Sequence, residues 1–302
     1  MKAIAQRFDR AAHQYDQYSG LQKQVAKRAL TLFKMNAKSN AFDVCIDLGC
    51  GTADATNELS HYARVTFGID ISSKMLLQAK SKHLKVQSAN STLQNPMLGS
   101  EKLPSQMLPE EPLHFINADA ENLPFKCATI DAFYSSMALQ WCNEPKQIMQ
   151  EIKRLMKPNG IAVLAILIDG SFSFLNQAWR GINRPSRLNQ FHSRSTWLHA
   201  AQLAGLATQD TTDIFNTEHR NIIDMLGSIK RVGANHKNSA KNNLPLGRKE
   251  LASLEQKMRI GSESKKQDPI LLDYKLMFVC LSHIRKNTSP SPISTQSQLL
   301  EV

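Results

Sequence analysis

The chain is poor in the features that would place it outside a cell, in a membrane or around a metal. Its five cysteines, at positions 45, 50, 127, 142 and 280, form no CxxC pair and leave an odd number. Neither a disulfide framework nor a zinc site is expected, and a reduced, cytoplasmic compartment fits best. No uninterrupted apolar run reaches the roughly 18 residues of a membrane span. The first residues, Met1-Lys2-Ala3-Ile4-Ala5-Gln6-Arg7-Phe8-Asp9, lack the apolar core of a secretory signal. His13, His192 and His236 are scattered without ligand spacing, so no metal is expected. Aromatic residues do not interleave with basic ones in a stripe that would stack on single strands, so no nucleic-acid partner is expected. There is no internal repeat.

What is present is ample for a core. A length of 302 residues with 42% apolar content describes one large domain, or a domain with a substantial subdomain. The net charge of +11 is uneven: Asn216 to Lys266 holds 11 Lys/Arg against 5 Asp/Glu. Such a stretch is either a lysine-rich solvated face or a surface that steers in an acidic partner.

The most informative segment is Phe42-Asp43-Val44-Cys45-Ile46 running into Asp47-Leu48-Gly49-Cys50-Gly51-Thr52-Ala53. It reads as a buried strand, a glycine turn and the start of a helix. Glycines there allow the backbone to approach a ligand closely. A dinucleotide fingerprint would need a third glycine where Asp54 stands. Asp47, at the mouth of the turn, would repel a pyrophosphate but suits the ammonium end of S-adenosylmethionine. A second strand, Val65-Thr66-Phe67-Gly68-Ile69-Asp70, ends in an acid 23 positions after Asp47. Such an acid accepts ribose hydroxyls in nucleotide-type α/β folds. His114-Phe115-Ile116-Asn117-Ala118-Asp119-Ala120 again places an acid just past a strand. Ile130-Asp131-Ala132-Phe133-Tyr134 runs into Ser135-Ser136.

Around these strands the pattern organises the chain into five parts. Residues 1–35 are an expected helical lid, whose second helix carries the stripe Leu21, Val25, Ala29, Leu32 and Phe33. Residues 36–168 form the expected donor-binding core. Within it Ser72 or Ser73 caps a helix bearing Met75, Leu76 and Ala79. Residues 87–113, with four prolines, read as a long surface loop. Ile148, Met149, Ile152, Leu155 and Met156 line a helix that stops at Pro158-Asn159-Gly160, before a buried strand from Ile161 to Ile168. From 169 to 266 the pattern reads as helical and polar. Ser195 caps a helix with Trp197, Leu198, Ala201 and Leu203 inside, and Ile222, Ile223, Leu226 and Ile229 mark another. Residues 267–286 return a last strand to the sheet, and 287–302 read as a disordered tail.

In this order the four strand-end motifs resemble those of class I S-adenosylmethionine-dependent methyltransferases. The resemblance implies an α/β, Rossmann-like sheet with helices on both faces and a helical substrate-binding insertion before the last strand. It implies that Asp47, Gly49, Gly51, Asp70, Ile71, Met75, Asp119, Ala120 and Ser135 bind S-adenosylmethionine. Asp70 would hold the ribose, Met75 would pack on adenine, and Asp119 with the Ala120 amide would read its edge. Phe8-Asp9-Arg10-Ala11-Ala12-His13-Gln14-Tyr15-Asp16 followed by Leu21-Gln22, and Ser135-Ser136-Met137-Ala138-Leu139-Gln140-Trp141-Cys142, are more specific. With Asp169-Gly170-Ser171-Phe172 and Gln177-Ala178-Trp179, they resemble the malonyl-[acyl-carrier protein] O-methyltransferase family of biotin synthesis over roughly residues 4–285.

That resemblance implies an acyl carrier protein partner and methyl transfer to a free carboxylate; a monomer is expected. An ionised carboxylate needs no general base. Tyr15 is a candidate catalytic lid over the methyl group, and Gln140 and Trp141 follow the fourth strand, where acceptor pockets form in open α/β sheets. A cationic anchor for the acceptor carboxylate is expected among Arg180, Arg184, Arg187, Lys230 and Arg231, arginine fitting a planar carboxylate through two parallel hydrogen bonds. Departures from the family are Ala53 in place of a third glycine, the long 87–113 segment and the tail. Two other readings remain open on the residues alone: a methyltransferase acting on a small molecule or RNA, and a non-catalytic protein that keeps the fold.

Overall fold

Strands buried on both faces are apolar on both sides, and the inner strands of a five-stranded parallel run follow that rule, while its edge strand is only partly buried. The five are β1 (Phe42–Leu48), β2 (Ala63–Asp70), β3 (Leu113–Asn117), β4 (Ile130–Ser136) and β5 (Met156–Leu167). Beside β5 lies β7 (Ile270–His283), antiparallel to it, and β6 (Leu206–His219) pairs antiparallel with β7 at the edge. The seven-stranded order is β3-β2-β1-β4-β5-β7-β6. This computed structural model describes residues 2–12, 20–37, 42–93, 113–183, 188–231, 246–261 and 268–284.

Strand alternation in β5 divides the core between the two faces. Val163, Ala165 and Leu167 pack with α2 (Gly20–Asn36), α6 (Ser173–Gly181), α8 (Ile222–Arg231) and α9 (Arg248–Gly261). Ala162, Leu164 and Ile166 pack with α5 (Pro145–Leu155) and α7 (Arg194–Leu203). Three helices frame the ends of β1 and β2: α1 (Lys2–Ala11), α3 (Asp54–Leu59) and α4 (Ser73–Leu93). The helical stripe on α2 buries Leu21, Val25, Ala29 and Phe33 as its spacing predicts. Phe33 makes edge-on contacts with the rings of Phe42, Tyr62 and Tyr134, which fastens α2 to the sheet.

Several elements differ from their sequence reading. The stretch 169–266 is not all helical, because Leu206–His219 is a strand of 14 residues. Its threonines and acids hid it. As an edge strand it buries little, and residues such as Thr208, Thr211 and Thr212 pair with β7 while remaining exposed. The last residues of β6 and the first of β7 are direct partners, His219 opposite Ile270, so residues 220–269 leave and rejoin the sheet at one point. Pro158-Asn159-Gly160 lies inside β5 at a register irregularity rather than in a turn before it. A Cβ on Gly160 would come within 2.6 Å of Met156 Cγ and 3.1 Å of the Asp131 carbonyl, which accounts for the glycine. The loop read at 87–113 begins later, since α4 runs to Leu93; residues 94–112 lie outside the described residues, as does the 287–302 tail. Helix α7 is capped by Ser193, not Ser195: the Ser193 hydroxyl accepts from the Thr196 amide at 3.1 Å. Leu203 and Ile223, read as inward-facing, are exposed.

Phe33 is fully buried, and truncating such a ring costs about 3–5 kcal/mol through lost transfer energy and the cavity left behind. Phe33→Ala should lower the urea midpoint accordingly. An unchanged midpoint would mean that α2 is not fastened to the sheet by this ring.

Candidate active site

The site grows from the turn after β1. Gly49 (φ 73°), Gly51 (φ 55°) and Ala53 (φ 70°) are all left-handed, a conformation that costs a side chain energy. At Gly49 the requirement is spatial as well. A Cβ there would lie 2.1 Å from the Cβ of Ala138, so the turns after β1 and β4 touch backbone to side chain. Ala53 takes the third left-handed position without glycine's freedom. The amides of Gly49 and Cys50 both donate to the Ile69 carbonyl, at 2.7 and 2.9 Å, which ties the turn to the end of β2.

Two carboxylates sit at these strand ends. Asp47 is 2% exposed and accepts a 2.7 Å hydrogen bond from the Thr56 hydroxyl of α3. Asp70 accepts from the Gly51 amide at 3.0 Å and from the Ser72 amide at 2.7 Å. Burial pushes the Asp47 carboxyl up to about 7, against the Thr56 hydrogen bond and with help from the Asp70 charge. Burial likewise lifts Asp70 to about 6, with the Ser72 and Gly51 amides opposing and Asp9 adding to the rise.

Two clefts flank the glycine turn and share Gly49, Gly51 and Ser136 as a ridge. The first, of about 660 Å³, is lined by Asp70, Ile71, Met75, Ala118 and Ala120, with Leu139, Trp141 and Cys142 opposite. Ile4 and Phe8 of α1 close one side, and Phe8 meets the Trp141 ring edge-on at 5.9 Å. The second, of about 510 Å³, sets Asp47 and Thr52 against Gln22, Lys23 and Ala26 of α2. In its lining, Gln22 Oε1 and Ser136 Oγ are buried without a hydrogen-bond partner among the described residues. A buried polar atom left so is costly unless something else satisfies it.

Loops behind the first cleft are braced. Glu151 accepts from the Leu123 amide (2.8 Å) and from Arg154 (2.6 Å), while Arg154 donates to the carbonyls of Phe125 (2.9 Å) and Leu123 (3.2 Å). Glu121 accepts from the Asn143 amide at 3.0 Å, joining the loop after β3 to the turn that carries Trp141.

Of the residues singled out in the sequence, Gly49 and Gly51 line both clefts, Asp47 lines the second, and Asp70, Ile71, Met75, Ala120 and Trp141 line the first. Asp119 stands beside the first cleft, where its carboxylate accepts from the Glu121 amide at 3.0 Å while its neighbours Ala118 and Ala120 form the wall. Ser135 faces away: fully buried, it donates to the Leu48 carbonyl at 2.7 Å, and Ser136 lines the clefts in its place. Gln140 lines neither cleft; its amide donates to the Met137 carbonyl at 2.7 Å and supports the left-handed Met137 (φ 53°). Arg180 is exposed at the end of α6 and lines neither cleft. Tyr15, Arg184 and Arg187 lie outside the described residues, as do the side chains of Lys230 and Arg231 at the end of α8. The sequence reading missed Ile4, Phe8, Lys23 and Ser136. For Ser136 a signal existed, since a period of two puts it on the same side of β4 as Tyr134, which lines the second cleft.

Residues 46–164 match the methyltransferase domain family. The malonyl-[acyl-carrier protein] O-methyltransferase of Marinomonas sp. (strain MWYL1) is 30% identical over 240 residues, 77% of each chain. The chain belongs to the malonyl-[acyl-carrier protein] O-methyltransferase family. A second member, from Erwinia pyrifoliae, is 29% identical over 84% of this chain and 85% of its own. The fold of this methyltransferase is also that of the Bacillus subtilis YcgJ protein, with a TM-score of 0.58, covering 86% of this chain and 100% of that one; at 16% identity the likeness shows the fold alone. The sheet is thus the Rossmann-like α/β sheet of class I methyltransferases.

The two raised carboxyls make stability depend on pH. Unfolded, each titrates near 3.8; folded, Asp47 titrates at about 7 and Asp70 at about 6. Between these values the folded methyltransferase holds more protons than the unfolded chain, so its stability falls as pH rises through that window. The urea midpoint of the free protein should therefore be lower at about pH 8 than at about pH 5. Asp47→Asn, which keeps an acceptor for Thr56, should shrink the drop. A variant with the full drop would mean that Asp47 is not the group responsible.

Proposed function

We propose that the chain transfers the methyl group of S-adenosylmethionine to the free carboxylate of a malonyl thioester on acyl carrier protein, a step in biotin synthesis. Family membership supports the acceptor. The observation that carries the donor lies in the second cleft, where two buried acceptors, Gln22 Oε1 and Ser136 Oγ, have no partner among the described residues. Asp47, Gln22 Oε1 and Ser136 Oγ gather there, with Lys23 also in the lining. Three acceptors and a cation suit the ammonium and carboxylate of an amino-acid end. Across the ridge, Asp70 offers an oxygen to ribose hydroxyls, and Ile71, Met75, Ala118 and Ala120 give an apolar slot for a flat base.

The bound donor supplies a sulfonium methyl group, an electrophile that needs no further activation. The acceptor carboxylate is ionised at neutral pH, so no side chain need take a proton. What the chain contributes is alignment of the two reactants and exclusion of water from opposite charges. Phe8 and Trp141 perform the second task at the first cleft. Tyr15 is assigned to the methyl group, and the acceptor's anchor to one of Arg180, Arg184, Arg187, Lys230 and Arg231. Methylation removes the acceptor's charge, so the product resembles an ordinary acyl chain.

Two measurements test this. Labelled methyl should pass from S-adenosylmethionine to malonyl-acyl carrier protein but not to acetyl-acyl carrier protein, which lacks the free carboxylate. Label on neither, with donor binding intact, would overturn the acceptor. In calorimetry, Asp70→Ala should weaken donor affinity by at least about tenfold, because hydrogen bonds to a charged group are lost; wild-type affinity would remove Asp70 from the donor site.

A further inference from the structure

Helix α1 has no place in the sheet, yet Ile4 and Phe8 form one side of the first cleft. Besides the Phe8–Trp141 contact, a short chain of hydrogen bonds ties it there. Asp9 accepts from the Ser72 hydroxyl at 2.6 Å and from the Lys74 amide at 3.2 Å, at the first turn of α4. Ser72 is fully buried. Its hydroxyl also accepts from the Met75 amide at 3.2 Å, and its amide donates to Asp70 at 2.7 Å. One serine thus joins the carboxylate of the helix to the carboxylate of the cleft.

We propose that Asp9 is a positioning residue: through Ser72 it latches α1 over the donor cleft, and donor occupancy and closure of α1 favour each other. The proposal rests on the donor assignment above. Its physical basis is that a donor in the first cleft touches Ile4 and Phe8 only when α1 is docked. A ligand that contacts one state more than the other shifts the balance toward it, and the shift is reciprocal. The Phe8–Trp141 contact carries the same closure to the turn after β4. Asp9 also lies at the positive end of α4, which stabilises a carboxylate there whether or not anything is bound. A purely structural role would therefore show in the stability of the free protein and leave donor kinetics untouched.

The test uses the full chain, with S-adenosylhomocysteine as the probe. Its dissociation is followed by stopped-flow displacement, and trypsin cleavage within α1, at Arg7 and Arg10, by mass spectrometry. With Asp9→Ala, dissociation should speed up by about tenfold, as expected if the closed form falls to a minor share. Cleavage of α1 should rise in the free protein, and the probe should no longer protect it. Asp9→Asn keeps an acceptor oxygen for the Ser72 hydroxyl and should stay near wild type in both readouts. Wild-type dissociation and wild-type protection in Asp9→Ala would overturn the latch. If the wild-type protein binds no probe at all, the donor assignment fails instead, and the cleavage of the free proteins decides whether Asp9 holds α1.

Discussion

Asp47 and Asp70 are carboxylates held out of water at the ends of neighbouring strands, and most of what surrounds them follows from making that tolerable. Burying charge without a partner is among the costliest things a fold does. The chain answers with a few aimed donors: the Thr56 hydroxyl for one acid, the amides of Gly51 and Ser72 for the other. The left-handed turn is what aims the Gly51 amide, and the touching of Gly49 and Ala138 is what fixes the turn. Compensation is incomplete, since both carboxyls remain displaced upward. Carboxyls displaced in this way are the kind of group that functional sites concentrate.

Rigid support behind the clefts is distributed differently from the charge. The loop after β3 carries the apolar wall and is held by Glu151, Arg154 and Glu121 to α5 and to the turn bearing Trp141. On the opposite side stands α1, secured at the first turn of α4 and by one ring contact. One wall is therefore braced by several bonds to the core, and the other by bonds at its end.

How much of this could be read beforehand depended on whether a residue's role was local. Asp47 and Asp70 were legible because an acid that ends an apolar strand is too costly to bury for packing alone, and the glycines between them specify a turn. The stripe on α2 was legible because four apolar positions at helical spacing have to face something. Strand β6 was not, since an edge strand rich in threonine and acids carries neither the apolar run of a central strand nor a clear alternation. Ser135 and Ser136 differ by one position and face opposite ways, so register along β4 decided between them. Phe8 stands in a motif that assigns it no role, because its partner Trp141 lies far along the chain.

The direct pairing of His219 with Ile270 has an implication for how such a protein can change over time. Because residues 220–269 depart from and return to the same rung of the sheet, a change of length outside the packed helices α8 and α9 costs only a loop-closure entropy that grows slowly. Lengthening or shortening the connections around those two helices leaves the strand order unaltered. Length can thus vary at this point of the sheet without disturbing the glycine turn, provided that Ile222, Met225, Ile229, Leu254 and Met258 still fill the core.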